Sequence, residues 1–591
     1  MKFSAKAVLA LFVIIFGFNA GATTYFVNVA NPSPVAPYTN WPTAATDIQS
    51  AVDAATNGDL ILVTKGVYNT GGRVVLGTLL TNRVVINKPV TVQSVSGPAV
   101  TMIQGYQIPS GSTAYSNNVR CAYMTNNVVL DGFTIAGGGT LSDSTLPADS
   151  MFRQLAGGGV LCESTNATLT NCVLTGNVCY STAASAGGGG VYQGTLNSCI
   201  LSNNLVIAYS VSGGAACKSI LNNCLIISNS ACFGGGAANS TLNGCMVVRN
   251  RTPYFLSTSG GGGTYFCVAN NCLIAGNYSG TWGGGDYNGI LNRCILSNNT
   301  VGGANPGLGQ GGGSYQIVNG NFSVSLNNCL VISNFSYGNG GGVYGSGLVC
   351  NCTIVGNTAT NQYGGVYRGY TTNCIIYYNT CNSNYTIYYN YYGQDIDFCS
   401  TTPMLYYNKG GITNEPMFVN ASAGNFRLSS NSPCINAGKN FAVTGTNDLD
   451  GNPRIVGGAV DLGAYEYQTS ASIISYAWLQ QYGLLTDGTA DFVDLDGDGM
   501  NNCQEWIAGT NPTNAASFLQ MLSASNSVVG PKVTWQSVSG ETYYMQRSTN
   551  LAVQPAFSSV QSNLTGQAGT TSFTDTTATN GNSFFYRVGV Q

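Results

Sequence analysis

Between residues 172 and 379 the apolar and polar positions recur in one phrase: Cys, an aliphatic two places on, and Asn five places on. The cysteines are Cys172, Cys199, Cys224, Cys245, Cys272, Cys294, Cys329, Cys352 and Cys374, at intervals of 21 to 35 residues. Position +2 is always Leu, Ile or Val, and position +5 is always Asn, from Asn177 to Asn379. A roughly constant period of this length is the signature of a solenoid. The Gly and Asn content and the absence of a 3.6-residue period exclude helical repeats, and Leu does not recur at the several fixed sites a leucine-rich repeat needs. The pattern predicts a parallel β-helix, with short strands whose alternate side chains enter a narrow core. Cys and its +2 partner are expected to stack inward. Asn at +5 is expected at a bend, in left-handed backbone, with its amide bonding along the stack. Gly runs before Val-Tyr pairs, as at Gly190-Val191-Tyr192 and Gly342-Val343-Tyr344, mark corners or close backbone approach.

The flanks extend the pattern. In "TDIQSAVDAATNGD" Ile48, Ala51, Val52 and Ala55 share a helical face, with Thr46 or Asp47 as N-cap, so a short helix is expected over the first coil. "VVINKPVTVQSV" and "VVLDGFTIAGG" read as earlier coils, with Phe133 where later coils place Cys. From about Ser517 the period becomes two, in "KVTWQSV", "TYYMQRS", "TSFTDTT" and "SFFYRVGV", which predicts a small β-sandwich. The expected organisation is all-β: a signal peptide (1–22), a parallel β-helix with capping helix and closing segment (23–467), a helical and calcium-loop linker (468–515) and a β-sandwich (516–591).

Composition narrows the partners. Charged residues are 7% of 591 and the net charge is −3, which argues against nucleic acid, whose phosphates need a basic stripe. Histidine is absent, so Ser-His and Cys-His nucleophiles and the commonest general base are excluded. Lys2 and Lys6 precede an apolar run from Ala7 to Phe18 and a small-x-small site at Ala20-Gly21-Ala22, the pattern of a secretory signal peptide. The alternative is a single membrane anchor, for which that run is short, and no later segment is apolar enough to span a bilayer. The protein is therefore expected to be exported or at the cell surface. Motif cysteines stacked about 4.8 Å apart with parallel Cβ directions are poorly placed to bond to one another, so they read as small buried hydrophobes. Cys162, Cys217, Cys267 and Cys350 lie off the ladder and remain open to pairing.

Candidate chemistry is sparse in the repeats. Glu163 and Asp286 are the acids between Met151 and Thr380, and about five coils place them more than about 20 Å apart, too far for a carboxylate pair. Tyr385, Tyr388, Tyr389, Tyr391 and Tyr392, followed by Asp395 and Asp397, form a candidate glycan-binding cluster, with self-stacking of a Tyr-rich face as the structural alternative. Asp131, Asp143 and Asp149 read as turn residues. In "DLDGDGMNNCQE" Asp494, Asp496, Asp498, Gly499 and Glu505 satisfy D-x-D-x-D-G-x5-E, the EF-hand-type loop for Ca²⁺. Positions 1, 3 and 5 converge on the ion, Met500 offers its carbonyl, Asn502 adds a ligand or holds a water, and Glu505 closes the sphere.

"DIQSAVDAATNGDLILVTKGVY" followed by "LDGFTI" resembles the start of the right-handed parallel β-helix, or pectin-lyase-like, superfamily. The Gly-Gly-x-Val and Cys-x4-Asn phrases resemble, in architecture, the repeats of chlamydial polymorphic outer-membrane proteins. "NSPCINAGKN" and "DLDGNPRIVGGAVDLGAYEY" resemble the closing segment of bacterial surface proteins called choice-of-anchor Q. The Asp-rich loop resembles dockerin-like and thrombospondin-type-3-like calcium repeats, with one full loop where a dockerin has two. The superfamily includes polysaccharide lyases, which hold Ca²⁺ against an acidic sugar with several carboxylates and use Arg or Lys as base, and it includes non-enzymatic adhesins. The expectation is a calcium-stabilised scaffold that binds glycan or cell envelope without catalysis, with a polysaccharide lyase, or less readily a glycoside hydrolase, as the alternative.

Overall fold

The structure is a computed structural model that describes residues 22–108, 117–141, 148–180, 186–207, 212–253, 259–302, 309–317, 324–382, 389–393, 395–404, 408–578 and 583–591. The expected signal peptide lies outside these residues but for its last. Among the described residues, no helix is long and apolar enough to cross a membrane.

Short strands stack into three long sheets of 14, 13 and 13 strands, each strand paired to the equivalent one of the next coil. The pairing is parallel and in register: Leu221 lies between Leu196 and Leu242 on the first face, and Ile226 between Leu201 and Val247 on the second. Near the start, Arg73–Val74 pairs antiparallel with Thr81–Asn82. A single coil shows the route. Ala216–Cys217 lies on the third face, Ile220–Asn222 on the first, Cys224 at the corner, and Leu225–Ile227 on the second, with Asn229 closing the turn. Leu221, Cys224 and Ile226 are buried in one continuous core that runs from Tyr25 to Cys399. The repeat thus builds the expected parallel β-helix.

The bend differs from expectation in one respect. Left-handed backbone falls not on Asn at +5 but on the residue before it, as at Asn203, Ser228 and Arg249 (φ 54°, 58° and 55°), and on the residue before Cys, as at Asn223 (φ 53°). The reason is that the +5 amide is needed inside. Asn229 Nδ2 donates to Asn250 Oδ1 (2.9 Å), to Leu201 O (2.9 Å) and to Ile227 O (3.1 Å), and the Asn229 N–H donates to the same Asn250 Oδ1 (2.9 Å). Each buried bend is therefore satisfied by the coil above it. Glycine in the adjoining runs answers crowding: a Cβ at Gly262 would run into the carbonyl oxygens of Gly284 and Tyr278.

The cysteines form a parallel ladder. Cys224 N–H points at Cys245 Sγ (3.4 Å), whose thiol donates to Leu221 O (3.3 Å). No disulfide joins any of the twenty cysteines. Off the ladder, burial pushes the thiols of Cys162, Cys217, Cys267 and Cys350 up to about 12, so they stay protonated. The ladder has a tenth rung that the phrase does not mark: Cys374 N–H meets Cys399 Sγ at 3.4 Å. There the column ends on Asn408, which accepts from Cys399 N–H (3.2 Å) and donates to Cys399 O (2.9 Å). Asn390 ends the amide column in the same way, accepting from Asn379 Nδ2 at 3.0 Å.

At the opposite end, helix α1 (Ile48–Ala54) buries Ile48, Ala51 and Val52 over the first coil and is N-capped by Asp47, which accepts from Ser50 N–H at 2.8 Å. Helix α2 (Ala148–Leu155) lies beside the third face, where Leu155 and Ala156 pack with Tyr123, Leu161 and Tyr192. After the last coil the chain returns along the outside of the second face, packing Phe426, Leu428, Ile435, Leu462 and Tyr465 on Leu330, Val355, Ile375 and Tyr377. The segment that carries "DLDGNPRIVGGAVDLGAYEY" is thus a lateral strap. Its centre is Arg454, fully buried, 3.4 Å from Glu466 and donating to the carbonyls of Asp461 and Gly463 (3.0 and 2.6 Å). Helices α3 (Tyr476–Gln481) and α4 (Asn502–Ala508) follow, flanking the Asp-rich loop. Two three-stranded antiparallel sheets within Met521–Val590 then enclose Val533, Trp535, Tyr543 and Met545.

Candidate functional site

The Asp-rich loop is built by its own turns. Asp494 accepts from the N–H groups of Gly497 (2.8 Å) and Gly499 (3.0 Å), Asp496 Oδ1 from Asp498 N–H (3.3 Å), and Asp498 Oδ1 from Met500 N–H (2.8 Å). These bonds bring one carboxylate oxygen from each of Asp494, Asp496 and Asp498 within 4.8 Å of one another. Helix α4 starts at once, its N-cap Asn501 in a reciprocal capping box with Gln504, and carries Glu505 in its first turn. Four buried oxygens here have no hydrogen-bond partner: Asp496 Oδ2, Asp498 Oδ2, Asn502 Oδ1 and Glu505 Oε2. They belong to positions 3, 5, 9 and 12 of the calcium motif. Asn502 is fixed by Nδ2 donating to Ala490 O (2.8 Å), which leaves its oxygen over. Burial and the charges of Asp496, Asp498 and Asp494 push the Glu505 carboxyl up to about 7. Orphaned carboxylate oxygens in an electronegative cluster fit a hard cation with oxygen ligands, and the residues present fit Ca²⁺.

The two acids of the repeats are engaged in structure. Asp286 is fully buried on the third face and accepts from Thr264 Oγ1 (2.8 Å), Ser314 Oγ (3.0 Å), Gln316 Nε2 (3.0 Å) and Gly289 N–H (3.1 Å). Burial raises its carboxyl to about 6 despite those donors. Glu163 pairs with Arg153 at 3.1 Å and accepts the Tyr123 hydroxyl. Asp131 accepts from Gln93 Nε2 at 2.8 Å. Asp143 lies outside the described residues, and of Asp149 only the backbone, within α2, is described.

The tyrosine cluster divides. Tyr385 and Tyr388 lie outside the described residues. Tyr389 and Tyr392 are exposed. Tyr391 is a correction: it is buried at 1% exposure and its hydroxyl donates to Gly369 O (2.6 Å) and Asp395 O (3.1 Å), so it cannot meet a glycan. Neighbouring residues on a strand point to opposite sides, and Tyr391 stacks inward on Val366 while Tyr392 continues outward on Tyr367. Tyr392 is the last rung of a stack through Tyr265, Tyr287, Tyr315, Tyr344 and Tyr367, with centroids 5.0 to 5.4 Å apart. Tyr two places after a Gly run, as at Tyr265, Tyr287, Tyr315, Tyr344 and Tyr367, was the available signal for it.

Asp395 and Asp397 line a groove of about 380 Å³ at the C-terminal end of the first face, with Leu348, Tyr370 and Lys409. Tyr370 and Leu348 are exposed. Further back, this face carries a second amide column that the Cys-based register does not single out: Asn222 donates to Asn197, Asn243 to Asn222, Asn270 to Asn243, Asn292 to Asn270 and Asn327 to Asn292, at 2.9 to 3.0 Å. Asp397 takes the same place in the last strand, two coils beyond Cys350.

No family model matches the chain, and no curated protein matches it. Among solved structures it is similar to a pectate lyase, with 15% identity over 76% of this chain and 97% of that one and a TM-score of 0.31. A rhamnogalacturonan lyase matches with 12% identity over 68% and 92% at a TM-score of 0.27, and a carrot pectin methylesterase with 10% over 56% and 82% at 0.25. The overlaps are loose, and the fold rests on the strand register. By that register the chain is a parallel β-helix.

Proposed function

We propose that the protein is an exported, calcium-stiffened β-helix scaffold that binds glycan without chemistry of its own. The observation that carries the reading is the groove at the end of the first face. Exposed Tyr370 and Leu348 offer an apolar platform and Asp395 and Asp397 offer acceptors beside it, which suits a sugar with its apolar ring face and hydroxyl rim. The engagement of Asp286 and Glu163 in buried or paired contacts supports a scaffold along the repeats. A glycan-array screen with the full chain, followed by Tyr370→Ala, tests the reading. Binding that falls about tenfold supports it. Binding indifferent to Tyr370 sinks it.

The same groove favours a second reading. Asp395, Asp397 and Lys409 converge there, and two carboxylates with one amine are the minimum a calcium-assisted lyase of an acidic polysaccharide would use, the amine as base. Incubation with polygalacturonate and Ca²⁺, followed by the ultraviolet absorbance of unsaturated ends, separates the two. An absorbance rise that Lys409→Ala removes makes the protein an enzyme.

A further inference from the structure

A larger cleft, about 810 Å³, opens where the strap, the calcium-loop module and the β-sandwich meet. Trp478 and Tyr482 come from α3 and the residue after it, Trp506 and Ile507 from α4, Lys439 from the strap and Glu541 from the β-sandwich. The two tryptophans are half-buried, one side packed on the module's core of Ile474, Leu479 and Ala490, the other lining the cleft. Tyr482 stands edge-on to Trp478 with centroids 4.9 Å apart, which holds both rings in place. Lys439 sits 5.1 Å above the Phe398 ring, and Glu541 lies over Gly509, so the lining brings one cation and one anion.

We infer that this cleft is a second binding site, for a neutral oligosaccharide, and that calcium controls it. Fixed aromatic rings with amides and hydroxyls around them, and balanced charge, recognise a neutral sugar chain better than an anionic one. The control is geometric and rests on the calcium reading above. Glu505, the closing ligand position, directly precedes Trp506, and Gly509 ends the same two-turn helix in left-handed backbone (φ 71°). Ligation of Glu505 would fix α4, and with it one wall of the cleft. Without the ion, three carboxylates and Glu505 repel one another and that wall loosens.

The test is isothermal titration of the full chain, in CaCl₂ and in EGTA, with cellohexaose, mannohexaose and chitohexaose. At least one hexaose is expected to bind in calcium, and at least about tenfold more weakly in EGTA. Trp478→Ala should weaken binding by the same factor, as should Ile507→Glu, which changes an exposed position. Leu76→Ala, at an exposed position outside both grooves, should leave it unchanged. No heat with any of the three, or binding that survives both cleft substitutions, overturns the site. Asp494→Ala should abolish calcium uptake and sugar binding together; sugar binding that persists undiminished overturns the control. A chain that takes up no calcium yet binds through Trp478 and Ile507 refutes the calcium reading and leaves the cleft standing.

Discussion

The repeats and the Asp-rich loop solve the same problem in opposite ways. Both bury polar groups at tight turns. In the +5 column of the repeats the buried amides find their partners one coil away: Asn250 Oδ1 takes two donors from Asn229, while Asn250 Nδ2 serves Ile226 O, Val248 O and Asn277 Oδ1. In the loop, four oxygens at ligand positions find none. Neutral amides carry donor and acceptor in one group and can be tiled indefinitely. Carboxylates only accept, so a cluster of them needs a cation from outside. The first region is closed on itself and the second is open to an ion.

The largest effect should come from breaking the closed region. Asn250→Ala removes five hydrogen bonds from the core, two accepted from Asn229 and three donated to Ile226 O, Val248 O and Asn277 Oδ1, and at roughly 0.5–1.5 kcal/mol net for each the loss should be about 2.5–7.5 kcal/mol. Urea unfolding measures it; a loss under about 1 kcal/mol would mean that the column is ornament. Asp286 gives the next. Its folded carboxyl is raised from 3.8 to about 6, so the folded state prefers the proton, and stability falls as pH rises through 4 to 6 and is level above that. The shift corresponds to about 3 kcal/mol. Melting of the natural chain and Asp286→Asn at pH 4 and pH 7 should therefore show a pH penalty that the variant lacks.

Opening the loop is expected to act locally. Calcium at about 100 times its Kd would stabilise the C-terminal module by about 3 kcal/mol, and EGTA should lower its transition while leaving that of the repeats in place. Asp494→Ala should make the module indifferent to both, and a module melting identically with and without Ca²⁺ would erase the contrast. The smallest effect sharpens the comparison inside the repeats. Asn243→Ala breaks two bonds in the half-buried column of the first face, where water replaces them, and should cost less than about 1 kcal/mol. Dithiothreitol should change nothing, since no disulfide is there to reduce.

Much of this was legible in the chain. The Cys and +2 positions report the inward face because coil stacking repeats one environment, so one side-chain type suits every rung. The calcium motif is legible because its positions sit within 12 consecutive residues, from Asp494 to Glu505. Legibility fails where the answer depends on neighbouring coils. Whether Tyr391 or Tyr392 faces out is set by stacking on Val366 and Tyr367, and a two-residue strand has no period of its own to show it. Cys399 joins the ladder without an Asn at +5, because the amide column has ended on Asn390 while the thiol column runs on to Asn408.

The sequence by itself determined the coil, its core, nine rungs of the thiol column with their +5 amides, and an acidic loop with the spacing of a calcium motif, all of which follow from local spacing. Only the tertiary structure decided that the closing segment straps the second face, that Asp286 is a buried structural acid, that Asp395, Asp397 and Lys409 share a groove, and that Trp478 and Trp506 flank a cleft. Those depend on chain segments up to about a hundred residues apart, as between Thr353 and Ala464, where a hydroxyl accepts a backbone N–H at 2.9 Å. Spacing along the chain carries no record of such meetings, because packing free energy rewards the contact whatever the length of the loop between.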